Sequence, residues 1–126
     1  MKEVIDMLVD IVSRNGNLLL NFPLPSNWML DDAELGILDE ISAWMAVNGD
    51  AIYGTRPWKT HVDTAPVETA AGGGVSEHHQ AGAFNERNRK PLTAADIRFT
   101  SKGNALYVFA MGRPQGKLNV NALAPG

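Results

Sequence analysis

The chain has 126 residues, no cysteine, 44% hydrophobic and 20% charged residues, and a formal net charge of −3. That length holds one ordinary domain or pieces of two, and excludes a complete barrel enzyme of roughly 200 residues or more. Zero cysteines exclude a disulfide scaffold, a Cys-ligated zinc finger and a thiol nucleophile, and leave the compartment open. The charge is divided unevenly: residues 1–58 carry three Lys/Arg against nine Asp/Glu, residues 59–126 eight against five. Halves of opposite balance point to two structural units.

Residues Lys2 to Arg14 place Val4, Ile5, Leu8, Ile11 and Val12 at helical spacing, which predicts a first helix. Acids inside this stretch set it apart from a secretory signal, and Asn15-Gly16 supplies a left-handed stop. The uninterrupted apolar run Asn17 to Phe22 reads as a strand covered on both faces, as in parallel sheets, closed by Pro23 and Pro25. Asp31 and Glu34 have capping-box spacing and open a second helix, with Leu35, Leu38, Ile41, Trp44 and Met45 on one side and Asn48-Gly49 at its end. Helix, covered strand and helix form a slice of an α/β fold whose strand needs neighbours.

Residues 59–95 contain five large apolar side chains, among them Phe84, and a Gly72-Gly73-Gly74 run. They read as a connector with one short strand near Phe84, a length that suits a crossing between domains. Alternation returns at Ile97 and Phe99, Ser101 to Asn104 supplies a turn, and Ala105 to Met111 forms a second strand. Lys117 to Leu123 is expected as a third. Open strand edges here and at Leu18 to Phe22 predict self-association.

Chemistry-bearing residues are few. His78-His79 sits on the connector, and no Asp, Glu or His spacing completes a metal site around it. The carboxylate pairs Asp31-Asp32 and Asp39-Glu40 lie on a helix, the first at its N-terminal end, where the macrodipole favours negative charge. Gly72 to Gly74 lacks the Lys-Ser/Thr of a phosphate loop. No run reaches the ~18 to 20 apolar residues of a membrane span. The scattered basic residues are not interleaved with stacking aromatics, so neither membrane nor nucleic acid is an expected partner. Nothing calls for a cofactor. The C-terminal end of the apolar run, Asn21-Phe22, is where an α/β fold would bind a ligand, with Phe22 as an apolar wall. Trp58 reads as a packing residue where the chain leaves the second helix.

Several segments are similar to a known family. Ile11-Val12-Ser13-Arg14-Asn15-Gly16-Asn17-Leu18-Leu19-Leu20-Asn21 resembles the segment around the last barrel strand of the α-L-fucosidases of glycoside hydrolase family 29. Val47 to Trp58 resembles the stretch after the last barrel helix. Phe84-Asn85-Glu86 and Thr93 to Tyr107 resemble the start of the family's C-terminal β-sandwich. The resemblance implies the last helix-strand-helix of a (β/α)8 TIM barrel at 1–58, a connector at 59–95, and the first antiparallel strands of a β-sandwich at 96–126. It implies a retaining exo-glycosidase acting on α-L-fucosides of oligosaccharides and glycoconjugates through two carboxyl groups about 5 Å apart, and leaves the compartment open. In that family both carboxylates precede the matched segments, so the resemblance assigns this chain no catalytic residue and an inactive part of the enzyme. It puts Asn21 and Phe22 at the substrate end of the last strand, although Phe22-Pro23-Leu24-Pro25 departs from the family's usual Gly-Pro turn. A non-catalytic carbohydrate-binding module, or a structural piece that associates with a separate barrel chain, is the alternative.

Overall fold

A computed structural model describes residues 1–23, 28–64 and 91–123. Helix α1 spans Lys2–Ser13 and helix α2 Asp32–Asn48, which runs into a 3₁₀ turn at Gly49–Ala51. Strands β1 (Arg56–Thr64), β2 (Asp96–Lys102) and β3 (Ala105–Ala110) form an antiparallel sheet in the order β1-β2-β3, and a further 3₁₀ turn lies at Asn121–Leu123. No helix among the described residues is long and apolar enough to cross a membrane.

Local chemistry sets the end of α1 and the start of α2. α1 stops in a Schellman turn: the Gly16 N–H donates to Ile11 O at 2.9 Å and the Asn15 N–H to Val12 O at 3.0 Å. Asn15 takes φ 66°, a conformation asparagine tolerates better than most residues. Gly16 is needed for space, because a Cβ there would sit 2.8 Å from Ile11 Cγ2. α2 opens with the capping box expected from its sequence. Asp31 Oδ1 accepts the Glu34 N–H at 2.8 Å, and Glu34 Oε2 accepts the Asp31 N–H at 3.1 Å.

The sheet packs one face on α1. Phe109 and Met111 on that face join Ile5, Leu8, Val9, Val12, Trp44 and Ile52 in an apolar cluster. Thr100, also facing the helices, donates from Oγ1 to Ala51 O at 2.7 Å, tying β2 to the turn after α2. Ile97 and Phe99 occupy the opposite face of β2 and are fully buried. Trp58 packs there, its ring centroid 5.2 Å from that of Phe99, with Lys59 Nζ 4.6 Å from the indole.

Three expectations change. The run Asn17 to Phe22 forms no strand. A strand covered on both faces needs flanking strands to satisfy its N–H and C=O groups, and the described residues supply none beside it. Residues 59–64 of the expected connector belong instead to β1, whose side chains alternate too weakly to announce a strand. Pairing slips between Pro57 and Val62, so that Trp58 to His61 stand opposite Phe99 alone. Residues 117–120 form no strand either, and the segment ends in the Asn121–Leu123 turn, where the Ala122 N–H donates to Asp63 Oδ2 at 2.8 Å. The expected strand near Phe84 and the Gly72 to Gly74 run lie outside the described residues.

The turn before β2 fixes a close approach. Asp96 Oδ2 accepts the Thr93 N–H at 2.8 Å and the Thr93 hydroxyl at 3.0 Å, and the backbone of this turn lies against Gly112. A Cβ on Gly112 would meet Ala94 N at 2.6 Å and Thr93 C at 3.0 Å, both backbone atoms. Gly112→Ala is therefore expected to cost about 1 to 3 kcal/mol, read as a lower urea midpoint with helix content retained.

Candidate functional site

Past the Schellman turn the chain runs from Asn17 to Pro23 along the outside of the fold. Leu19 is 82% exposed, Asn21 is exposed and Phe22 is half-buried. The two residues expected at the ligand end of a strand are thus adjacent on a segment without regular structure, with Trp28 exposed beyond it at φ 59°. A groove of about 860 Å³ lies at the C-terminal end of α1, lined by Leu8, Val12, Asn15, Asn17, Tyr53 and Arg56 among others. Asn21 and Phe22 are not part of it, and among the described residues no carboxylate lines it. Amide, phenol and guanidinium groups can hold polar ligands by hydrogen bonding.

The carboxylate pairs have structural tasks or none. Asp31 caps α2, and Asp32, Asp39 and Glu40 are exposed on it. Among the described residues no three His, Asp or Glu side chains could hold a metal ion. His78-His79 lies outside them.

The concentrated charge is elsewhere, between α1 and the sheet. Asp10 of α1 is buried, and its Oδ1 accepts from Arg98 Nε of β2 at 2.6 Å and from Arg14 Nη2 at 3.2 Å. Arg98 is 5% exposed and also donates from Nη1 to Ile97 O at 3.1 Å. Ser13, buried beside them, donates its hydroxyl to Asp10 O at 2.8 Å. Burial pushes the Asp10 carboxyl up, but the bonds and charge of Arg98, with those of Arg14, outweigh it and hold the group below its ordinary 3.8. A carboxylate held ionised accepts hydrogen bonds and is a poor proton donor. His61, brought near by the slip in β1, is lowered from 6.5 by desolvation and by Arg14 and Arg98, against the opposing pull of Asp10.

The sequence offered two faint signs of this cluster. Asp10 and Arg14 stand four apart on α1, the spacing of a helical ion pair. Arg98 alternates with Ile97 and Phe99, which reads as a solvent-facing position until a helix is known to cover that face.

Comparison with known proteins shows similarity to one family. Residues 1–50 match the family model described as Alpha-L-fucosidase. An alpha-L-fucosidase of Branchiostoma floridae is 36% identical over 64 residues, 51% of this chain and 14% of that protein. The tissue alpha-L-fucosidase of Homo sapiens is 26% identical over 121 residues, 95% of this chain and 20% of that protein. The human plasma alpha-L-fucosidase is 35% identical over 63 residues, 50% of this chain and 14% of that protein. The chain is thus related to the alpha-L-fucosidases, a family of glycosidases, and spans a fifth or less of the length of these relatives.

The ion cluster makes two measurable statements. Arg98→Met leaves Asp10 buried with its nearer cation gone and is expected to cost about 3 to 5 kcal/mol. Arg14→Met, at a half-exposed and screened position, should cost under about 1 kcal/mol. Both are read from urea midpoints. Asp10 and His61 are each lowered on folding, so the stability they contribute is present above 3.8 and 6.5 respectively. It is lost as pH falls below those values. The urea midpoint should decline from about pH 6.5 downward, and His61→Gln should flatten the upper part of that decline.

Proposed function

We propose that this chain is part of an α-L-fucosidase, carrying the last helix, apolar strand segment and helix of its catalytic barrel and the first strands of its β-sandwich. The match of residues 1–50 to the family supports this reading most directly. The antiparallel hairpin at Asp96–Lys102 and Ala105–Ala110 is compatible with the sandwich, and α1 and α2 with the barrel. In that enzyme Asn17 to Phe22 becomes the covered strand that its composition asks for, and Asn21 and Phe22 face the fucose, Phe22 offering an apolar wall to the ring and methyl group.

The reaction of such an enzyme needs two carboxyl groups facing each other across the scissile bond, about 5 Å apart for retention of configuration. The described carboxylates lie on helices and turns, accept hydrogen bonds at Asp63 and Asp96, or pair with arginine at Asp10. The resemblance puts the catalytic pair outside the matched segments, so in this reading the chain alone is catalytically inert. Its contribution is to close the barrel, position Phe22 and carry the junction to the sheet. The exposed Leu19 and Leu20 also favour a second reading, in which the chain serves as a non-catalytic module associating with a separately encoded barrel.

Incubated with a chromogenic α-L-fucoside, the purified chain is expected to release chromophore at the rate of a blank. Turnover that follows the chain through purification would overturn its inertness. In an active fucosidase carrying this segment, Phe22→Ala should raise KM about tenfold with a smaller change in kcat, since an apolar wall contributes mainly uniform binding. An unchanged KM would remove Phe22 from the substrate site.

A further inference from the structure

Strand β3 is the outer strand of the sheet, and among the described residues no strand pairs with its far side. The Met111 N–H donates to Asp96 O at 2.9 Å, which sets the phase of the ladder. Because hydrogen-bonded pairs alternate along an antiparallel ladder, Ala105, Tyr107 and Phe109 exchange bonds with β2. The N–H and C=O groups of Leu106, Val108 and Ala110 therefore point outward. Such an edge is a template for another strand unless a charge, a proline or a bulge blunts it.

The two edges of the sheet differ in this respect. β1 carries Pro57, Lys59 and Asp63, its pairing slips over four residues, and Asp63 is capped by the Ala122 N–H. β3 is six uncharged residues in unbroken register with β2, and Val108 at its middle is 39% exposed. A cleft of about 240 Å³, lined by Val9 and Trp44 on the helix side, flanks Val108 and Ala110 and leaves room beside the edge.

We propose that β3 is a dimerisation edge, pairing antiparallel with β3 of a second copy about a two-fold axis through Val108. The occupant is read from the strand itself. Leu106-Tyr107-Val108-Phe109-Ala110 is symmetric in type about Val108: aliphatic, aromatic, valine, aromatic, aliphatic. In this register Val108 faces Val108, Leu106 of each copy faces Ala110 of the other, and the three outward residues satisfy one another's backbone groups. Tyr107 of each copy stands opposite Phe109 of the other, a favourable cross-strand pair, and no like charges meet. The contact is isologous and closes at two copies, giving a continuous six-stranded sheet.

Light scattering on the purified chain, across a wide range of concentration, tests this. The chain is expected to be a monodisperse dimer at high concentration. Val108→Lys sets two ammonium groups on the axis and should weaken dimerisation by about a hundredfold or more, whereas Val47→Lys, at an equally apolar but 82% exposed site on α2, should leave it unchanged. A monomeric wild type, a dimer indifferent to Val108→Lys, or equal dissociation by Val47→Lys would each overturn the proposal. Should Val108→Lys unfold the chain, hydrogen exchange on the wild type decides. The Leu106, Val108 and Ala110 amides must be protected at dimeric concentration and lose protection on dilution, and exchange that ignores concentration would overturn the dimer.

Discussion

A single carboxylate holds the helical and sheet portions of this chain in register. Asp10 projects from α1 into the space beneath β2 and receives Arg98 at 2.6 Å, across 88 residues of sequence. The apolar cluster at the same junction has only Val9, Ile52 and Met111 fully buried, so hydrophobic burial alone gives a modest hold. Hydrophobic contact is also non-directional and would tolerate sliding of the sheet on the helix. A guanidinium bonded to a carboxylate at fixed distance does not. The two charges are costly to desolvate apart, and that cost is what forbids their separation. Thr100 and Ala51 repeat the arrangement in neutral form, with a buried hydroxyl and carbonyl joining β2 to the end of α2.

That constraint propagates into the sheet. With Arg98 and Thr100 directed at the helices, period-two alternation sends Ile97 and Phe99 to the far face, where the slipped residues of β1 bring Trp58 over Phe99. The slip also carries His61 toward the two arginines, which is why a histidine on an outer strand is pushed below its ordinary value. Irregularity in β1 and regularity in β3 are thus two sides of one layout. The strand near the ion cluster is bent and charged, and the strand away from it is straight and uncharged.

What the sequence disclosed follows from how local each signal is. The capping box of Asp31 and Glu34 and the Asn15-Gly16 stop need only a few adjacent residues and stand as read, while the turn expected over Ser101 to Asn104 narrows to Gly103-Asn104 because Ser101 and Lys102 pair in the hairpin. Leu18 to Leu20 misled because a covered strand is defined by neighbours, and apolarity without neighbours leaves a segment without regular structure. β1 escaped notice because Pro57, Lys59 and the slip break its alternation. The Asp10–Arg98 bond was hidden because its two halves lie in segments whose approach no local pattern encodes. Asn21 and Phe22, expected as ligand residues, were legible only as an address, the end of an apolar run, and the chemistry at that address depends on what lies beside the run.

The distribution of apolar surface bears on the proposed place of this chain in a larger enzyme. Every large apolar residue of the sheet's helix-facing side is at least partly buried, yet Leu19, Leu20, Leu35 and Val47 remain exposed on the helical portion. A monomeric domain of this size would be expected to turn such residues inward, since leaving them in water forgoes about 1.5 to 3 kcal/mol apiece. The helical portion therefore contacts β2 and the turn after α2 and leaves apolar surface uncovered along the run that ends in Asn21 and Phe22. A barrel wall laid along it would bury the leucines, supply the strand's missing hydrogen bonds and bring Phe22 to the rim at which α/β enzymes bind ligands. One covering event would satisfy all three demands, which is the physical content of assigning residues 1–58 to the end of a barrel.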